Sequence, residues 1–240
     1  MSWIHHDNGF HLLCNRDEKR TRKPALPPRL QCPRGVRFVA PVDGDFGGSW
    51  MSANEAGVAL CLLNGANLGG CARHRSTTGT RSRGLLLLEL ADAPSTMGAC
   101  ERLARLDLDQ WAPFTLAGLE PGLPACLVEW NGVDLVILPN GDPFMPLISS
   151  SFETEAVRQR RRAEFAHCTR QGLNAEALCG FHGSHGGEAS AFSTCMHRPD
   201  AETVSFSWVQ VDEHAVSFFY SPTAPCQGRS GETTRLELLS

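Results

Sequence analysis

The chain alternates short apolar runs with turn residues, and this pattern predicts several antiparallel hairpins. Residues 2–15 form a strand, an Asp7-Asn8-Gly9 turn and a second strand, since Asn-Gly between apolar runs is a strong hairpin signal. A further turn at Asn131-Gly132 connects the apolar runs 124–130 and 133–138. Other strands are expected at residues 36–41, 50–53, 57–64, 114–119, 189–196, 203–211 and 214–220.

Helices are predicted in two pairs between these hairpins. Ser95 or Thr96 is a suitable N-cap for the second helix of the first pair. The second pair opens at Ser150-Ser151-Phe152-Glu153, which resembles a capping box. The Pro-rich segment 24–33 is expected to be a loop. The four predicted helices cover residues 82–91, 94–106, about 150–168 and 174–180.

Paired helices inserted among antiparallel hairpins indicate an α+β fold, in which helical layers cover β-sheets. At 240 residues the chain is long enough to bury a well-packed core. We therefore expect one domain over residues 1–240. The pattern fits a four-layer α-β-β-α sandwich of antiparallel sheets, and it also fits a two-layer α+β domain.

Composition favours a cytoplasmic protein. No apolar run is long enough to span a membrane, and the first residues have no secretory pattern. The ten cysteines are scattered without a paired framework, so reduced thiols are expected.

The charge is unevenly distributed along the chain. Net charge is −4, yet residues 1–83 hold 12 lysines and arginines against 6 acids. This segment forms either an anion-binding surface or simply a solvated basic face. Nucleic-acid binding is not expected, because the basic residues lack interleaved aromatic residues and the chain as a whole is acidic.

Residues able to carry chemistry are concentrated at Asn15-Arg16-Asp17-Glu18, directly after the apolar run 10–14. Charge at the end of a buried strand is common at catalytic or binding sites, although it also fits a salt-bridged hairpin end. Asn64 ends another apolar run. Its amide could donate to a developing oxyanion, or it could simply favour a turn at Asn64-Gly65.

The tetrapeptide resembles the signature of the NRDE family, which includes the transport and Golgi organisation proteins and is similar to N-terminal nucleophile hydrolases. Residues 50–65 are also similar to the hairpin of penicillin V acylases and bile salt hydrolases that ends in the oxyanion-hole Asn. The resemblance implies the four-layer sandwich and hydrolysis of a non-peptide amide. It implies catalytic roles for Arg16, Asp17 and Asn64, and ligand-binding roles for Asn15, Glu18 and Ser150; Ser150 stands where relatives have Asn.

The nucleophile of such enzymes is an N-terminal Cys whose free α-amine acts as the base. Related chains begin Met-Cys-Thr-Val-Ser-Trp, whereas this one begins Met1-Ser2-Trp3. We therefore expect a start three residues earlier, with Met followed by the Cys, and no activity from a chain that begins at Met1. The alternative is that Met1 is removed and Ser2 is the nucleophile. Ser2 lies an odd number of positions from the expected Cys, however, so its side chain is expected on the opposite face of the sheet. Cys14 is expected to be a small buried apolar residue.

A non-catalytic role on the same fold is the alternative function. Arg16, Asp17 and Asn64 would then bind a small anionic or amide ligand without turnover. In this alternative the ligand could be haem. The resemblance to eukaryotic family members implies haem trafficking, and Cys32-Pro33 is similar to short haem-responsive motifs. No other cofactor is expected.

A metal site at Cys179, His182 and His185 is also not expected. The intervening glycines argue against a helix that would align the three side chains, and the paired spacing of zinc ligands is absent. The expected partner is a small-molecule amide or anion. The sequence leaves the oligomeric state open.

Overall fold

A computed structural model describes residues 1–65, 68 and 81–239, and within them two antiparallel sheets pack face to face. The first sheet contains, in spatial order, β1 (Ser2–His6), β2 (Gly9–Lys19), β10 (Ala201–Val211), β11 (Ala215–Ser221) and β12 (Glu232–Glu237). The second contains β3 (Leu26–Gln31), β4 (Phe38–Val42), β5 (Met51–Asn54), β6 (Ala59–Asn64), β7 (Phe114–Leu119), β8 (Cys126–Trp130) and β9 (Leu135–Leu138).

The N-terminal hairpin has the predicted turn. Strand β1 pairs with β2 from Ser2 opposite Leu13 to His6 opposite Gly9. On its other side β2 pairs with β10, which places Asp17 opposite Thr203, next to an irregularity in the register. The charged end of β2 extends past the residues that pair with β1, so strand β10 holds it on one side only.

Helices cover the outer face of each sheet, which confirms the four-layer sandwich over the two-layer alternative. The second sheet is covered by α1 (Arg83–Leu90) and α2 (Thr96–Leu103), whose leucines share a buried cluster with Leu60 and Leu116. The first sheet is covered by α3 (Thr154–Cys168) and α4 (Ala175–Gly183), where Leu178 packs against Leu13 and Phe206. A third cluster fills the space between the sheets.

Helix α2 begins as predicted, because the Ser95 side chain accepts a hydrogen bond from the Gly98 amide. The capping box expected at the start of α3 is wrong. Ser150 Oγ instead bonds the backbone of Phe152, and the helix begins at Thr154 after Glu153, which has a left-handed φ of 37°.

One loop prediction and one strand prediction are also wrong. The segment 24–33 contains β3, which tolerates its prolines because it is the edge strand of its sheet. Residues 189–196 form no strand, since hydroxyl groups there bond to the nearby backbone. For example, Ser193 Oγ accepts from the Ser190 amide and donates to the carbonyl of His185. Strand β12 lies in a segment for which no strand was predicted.

Among the described helices, none combines the length and the apolar character that crossing a membrane requires.

Candidate functional site

A cavity of about 480 Å³ lies at the charged end of β2, which contributes residues 14–18 to its wall. Both sheets and both helical layers reach it. The arginines that line it outnumber the acids, so the cavity is electrostatically favourable for an anionic group. The charged residues of the lining are Arg16, Arg22, Arg81, Arg83, Arg161, Asp17, Glu18 and Asp43.

Arg16 is buried at the cavity wall, and two acids match its charge. Its Nη2 donates to Asp43 Oδ2 at 2.5 Å and to Glu18 Oε2 at 3.2 Å. Its guanidinium carbon lies 4.7 Å from the centre of the Trp50 ring, which is cation–π distance. These contacts fix the guanidinium group. The end of β2 is therefore salt-bridged, as one interpretation of the sequence expected, and these salt bridges lie at the cavity.

The same two acids bind a second arginine. Arg22 Nη2 lies 2.8 Å from Asp43 Oδ2, and Arg22 Nη1 lies 3.4 Å from Glu18 Oε2. Burial opposes ionisation of Asp43, but two backbone amides and then Arg16 and Arg22 outweigh it and lower the pKa of this carboxyl. Glu18, expected to bind a ligand, thus bridges two arginines.

Asp17 is held by a hydroxyl group and faces a buried arginine. Thr203 Oγ1 donates to Asp17 Oδ1 at 2.6 Å, and Arg161 Nη2 lies 3.7 Å from Asp17 Oδ2. The Arg161 side chain is only 9% exposed, and its buried Nε has no hydrogen-bond partner among the described residues. Burial lowers the pKa of Arg161, and Asp17 counteracts this. Arg161 lines the cavity, so its positive charge favours an anionic group there.

Asn64 lies at the end of β6 and lines the cavity, as its expected role requires. Its backbone carbonyl accepts from Ser149 Oγ at 2.7 Å. Among the described residues of this segment, Ser149 reaches the lining, whereas Ser150 lies in the turn before α3 and is outside it. The structure therefore places Ser150 apart from the other predicted site residues.

Asn15 belongs to a buried polar chain behind the cavity wall. Ser2 Oγ lies 2.9 Å from His182 Nε2, and His182 Nδ1 lies 3.0 Å from Asn15 Oδ1. Asn15 Nδ2 donates to the carbonyls of His182 and Thr194. Burial holds the pKa of His182 well below its ordinary value, so the ring is neutral, with Nδ1 donating to Asn15 and Nε2 accepting from Ser2. Asn15 lines the cavity, but these bonds occupy its side chain.

Ser2 is fully buried on the helix-covered face of the first sheet, as its position in the strand predicted. Met1, one residue earlier, lies on the other face and lines the cavity together with Cys14. The Met1 amine donates to the carbonyl of Leu147 at 2.8 Å, and the Leu147 amide donates back at 3.0 Å. Cys14 is buried in the central core, as expected.

Sequence reasoning missed Asp43, Arg161, His182 and Thr203. A helix with several arginines gives no local signal for which one is buried. The Cys32 thiol, named for haem, is exposed and lies outside the cavity lining.

The family model for TANGO2 (Transport and Golgi organisation 2) matches residues 1–138. No curated protein sequence matches the chain significantly.

Solved structures with the N-terminal nucleophile hydrolase fold are similar over almost the whole chain. Penicillin V acylase from Agrobacterium tumefaciens is 13% identical, with a TM-score of 0.54, over 98% of this chain and 84% of its own. An N-acylethanolamine-hydrolyzing acid amidase orthologue from Caenorhabditis elegans is 11% identical, with a TM-score of 0.59, over 98% and 99%. A variant of conjugated bile acid hydrolase from Clostridium perfringens is 10% identical, with a TM-score of 0.55, over 98% and 91%. At these identities the similarity establishes the fold.

Proposed function

Because the chain belongs to the Transport and Golgi organisation 2 family and has the N-terminal nucleophile hydrolase fold, we propose that it hydrolyses a C–N amide bond in a small molecule. The nucleophile in this proposal is a Cys located two residues before Met1, with the start Met removed. The single observation that carries the proposal is the cavity, where Arg16, Asp17 and Asn64 line the space beside Met1.

The strand register supports that position for the nucleophile. Ser2 lies opposite Leu13, so Met1 lies beside Cys14, and each earlier residue would move one position further along β2. A residue two positions before Met1 would lie opposite Arg16, about 7 Å beyond Met1 at roughly 3.3 Å per residue. That point is at the charged end of β2, where the cavity begins.

The chemistry requires few groups. The α-amine of the Cys, with an ordinary pKa of about 8, takes the thiol proton as the thiolate attacks the amide carbon. Asn64 donates to the oxyanion, and Asp17, positioned by Thr203, orients the ammonium group. The ammonium group passes its proton to the leaving amine, and a thioester remains. Water then cleaves the thioester, which releases the carboxylic acid and restores the thiol.

The cavity lining favours a substrate that carries an anionic group. Arg83 Nη1 binds the backbone carbonyl of Pro113 at 2.8 Å, and no carboxylate within salt-bridge distance of Arg83 is found in the described chain. The Arg161 side chain also lines this cavity and adds a second positive charge there. A carboxylate, sulfonate or phosphate on the substrate would satisfy both arginines.

The test is a protein that carries Met-Cys-Thr ahead of residue 1, with Met1→Val. Its first residues are then Met-Cys-Thr-Val-Ser-Trp, as in the related chains. Mass spectrometry first verifies removal of the start Met. Amine release is then measured with penicillin V, conjugated bile acids and N-acylethanolamines, which the names of the similar structures suggest as probes. The matched control is the same extension with alanine in place of cysteine.

We expect turnover from the cysteine protein and none from the alanine protein. A folded protein with a mature N-terminal Cys and no turnover of any probe would leave ligand binding without catalysis as the function. In that case the cavity arginines should still bind anionic probes, which isothermal titration calorimetry would detect.

A further inference from the structure

Two histidines and two cysteines, side chains of the kinds that ligate metals, converge outside the cavity. His185, Cys195, His197 and Cys226, which we call the Cys/His cluster, bring their ligand atoms to within 4.8 Å of one another. They come from three separate segments: one just after α4, one before β10 and one in the single helical turn Pro225–Gln227 after β11. The expectation that the glycines prevent a helix at Cys179 and His182 is wrong, because both lie in α4. Neither belongs to the Cys/His cluster, and His182 bonds Ser2 and Asn15.

The ligand atoms of the cluster crowd around one histidine nitrogen. Three groups approach the same nitrogen, His197 Nε2: His185 Nε2 at 3.2 Å, Cys226 Sγ at 3.5 Å and Cys195 Sγ at 3.9 Å. A ring nitrogen carries either one proton or one lone pair, so it can make one good bond with these three groups. Cys195 and Cys226 also hydrogen-bond each other, so all four side chains converge on one centre.

The distances to His197 Nε2 are close to those of a tetrahedral metal site. With Zn–N of about 2.0 Å and Zn–S of about 2.3 Å, two nitrogens lie about 3.3 Å apart and a sulfur lies about 3.6 Å from a nitrogen. Two thiolates and two imidazoles in a tetrahedral set favour zinc over calcium, magnesium or manganese. We infer that His185, Cys195, His197 and Cys226 together bind one Zn²⁺ ion.

The backbone already positions three of these ligands. The Cys195 amide donates to the carbonyl of Ser184 at 3.0 Å, and the His197 amide donates to the carbonyl of Ser190 at 3.0 Å. The carbonyl of His185 accepts from Ser193 Oγ at 3.2 Å. The loop therefore presents its ligands in a fixed arrangement before metal enters, which favours binding.

The zinc would have a structural role, because all four positions are occupied by protein ligands. Its segment also borders the cavity. The Met196 amide, between two ligands, donates to Thr203 Oγ1 at 2.8 Å, and this hydroxyl donates to Asp17. On the other side of Cys195, the carbonyl of Thr194 accepts from Asn15. Metal binding would thus fix the wall that positions Asp17.

The test is the metal content of the whole protein, made without a histidine tag and kept reduced. We expect elemental mass spectrometry to find about one zinc ion per chain. After exchange with cobalt we expect the visible absorption of a tetrahedral thiolate site. His185→Asn and Cys226→Ser should release metal to a chromogenic chelator at least about tenfold more readily, as even outer partners of metal ligands contribute tenfold or more. Cys32→Ser, at an exposed cysteine outside the cluster, should match the unaltered protein.

Cys195 is buried, so it is left unaltered to avoid a folding defect. A folded, reduced protein that binds neither zinc nor cobalt would overturn the inference. Full metal retention in both variants, or a Cys195–Cys226 disulfide in protein isolated under reducing conditions, would do the same.

Discussion

The segment 194–197 contributes Thr194 to the cavity and Cys195 and His197 to the Cys/His cluster. The two sites differ in how their polar side chains are paired. At the cavity, the acids Asp17, Glu18 and Asp43 each lie near an arginine side chain, and Arg161 keeps a vacant donor. At the cluster, two thiols and two imidazoles converge on one point with no acid or arginine among them. The first arrangement suits a ligand that enters and leaves, and the second suits an ion that stays.

The largest expected effect is at the cavity. In the cysteine-extended protein, Asp17→Asn should lower kcat/KM at least about 100-fold, because the amide keeps the Thr203 contact but loses the charge that orients the α-amine. Steady-state kinetics measure this effect. Asp200→Asn is the matched control, since Asp200 is exposed and bonds Arg198 at the surface. An Asp17→Asn protein within twofold of its parent would remove Asp17 from the catalytic proposal.

The second largest expected effect is the loss of thermal stability when zinc is removed from the Cys/His cluster. Zinc at 100 times its Kd contributes about 2.7 kcal/mol to the free energy of unfolding. For a chain of this length, chelation should therefore lower Tm by about 5 to 10 °C. Scanning calorimetry with and without chelator measures this shift. Cys226→Ser should respond clearly less to chelator, because it holds zinc less tightly, whereas Cys32→Ser should respond fully. Equal responses from the two variants would place the metal elsewhere.

A smaller effect is expected at Arg161, where a substitution tests whether the positive charge of this side chain binds the substrate. Arg161→Met should raise KM for an anionic amide about tenfold and leave a neutral amide nearly unchanged, since a hydrogen bond to a charged group contributes about 1.5 kcal/mol. Arg162→Met is the control, because this neighbouring arginine is exposed. If KM rises equally for both substrates, Arg161 acts through packing and does not bind the anion.

The smallest effect is a pH dependence at the cavity wall. Burial lowers the pKa of His182 in the folded protein, while the unfolded chain keeps about 6.5. As pH falls below about 6.5, the unfolded state binds a proton that the folded state does not. The free energy of unfolding should then fall by up to about 1.4 kcal/mol per pH unit.

This dependence is measured by urea unfolding between pH 7 and 5 in a Cys226→Ser background, because metal release also depends on pH. His182→Gln should reduce the slope, whereas His214→Gln, at an exposed histidine, should keep it. A slope unchanged by His182→Gln would show that other groups control acid stability.

Much of the fold was predictable because its signals are local. The Asp7-Asn8-Gly9 signal predicted the turn from adjacent residues alone, and the hairpin of β1 and β2 forms there, with His6 paired with Gly9. Arg16, Asp17 and Asn64 line one cavity, as the resemblance implied, while Ser150 lies outside it. The catalytic and ligand-binding roles of these residues stay predictions until the variants are measured.

The sequence by itself determined the hairpins, the helix pairs and the family, because turn chemistry and apolar periodicity act between near neighbours. Only the tertiary structure decided which arginine of α3 faces Asp17, and that Ser2 is fully buried beside His182. It also decided that His185 and Cys226 meet across two loops. These contacts depend on how whole sheets and helices pack, and no short stretch of sequence specifies the rotation of one layer against another.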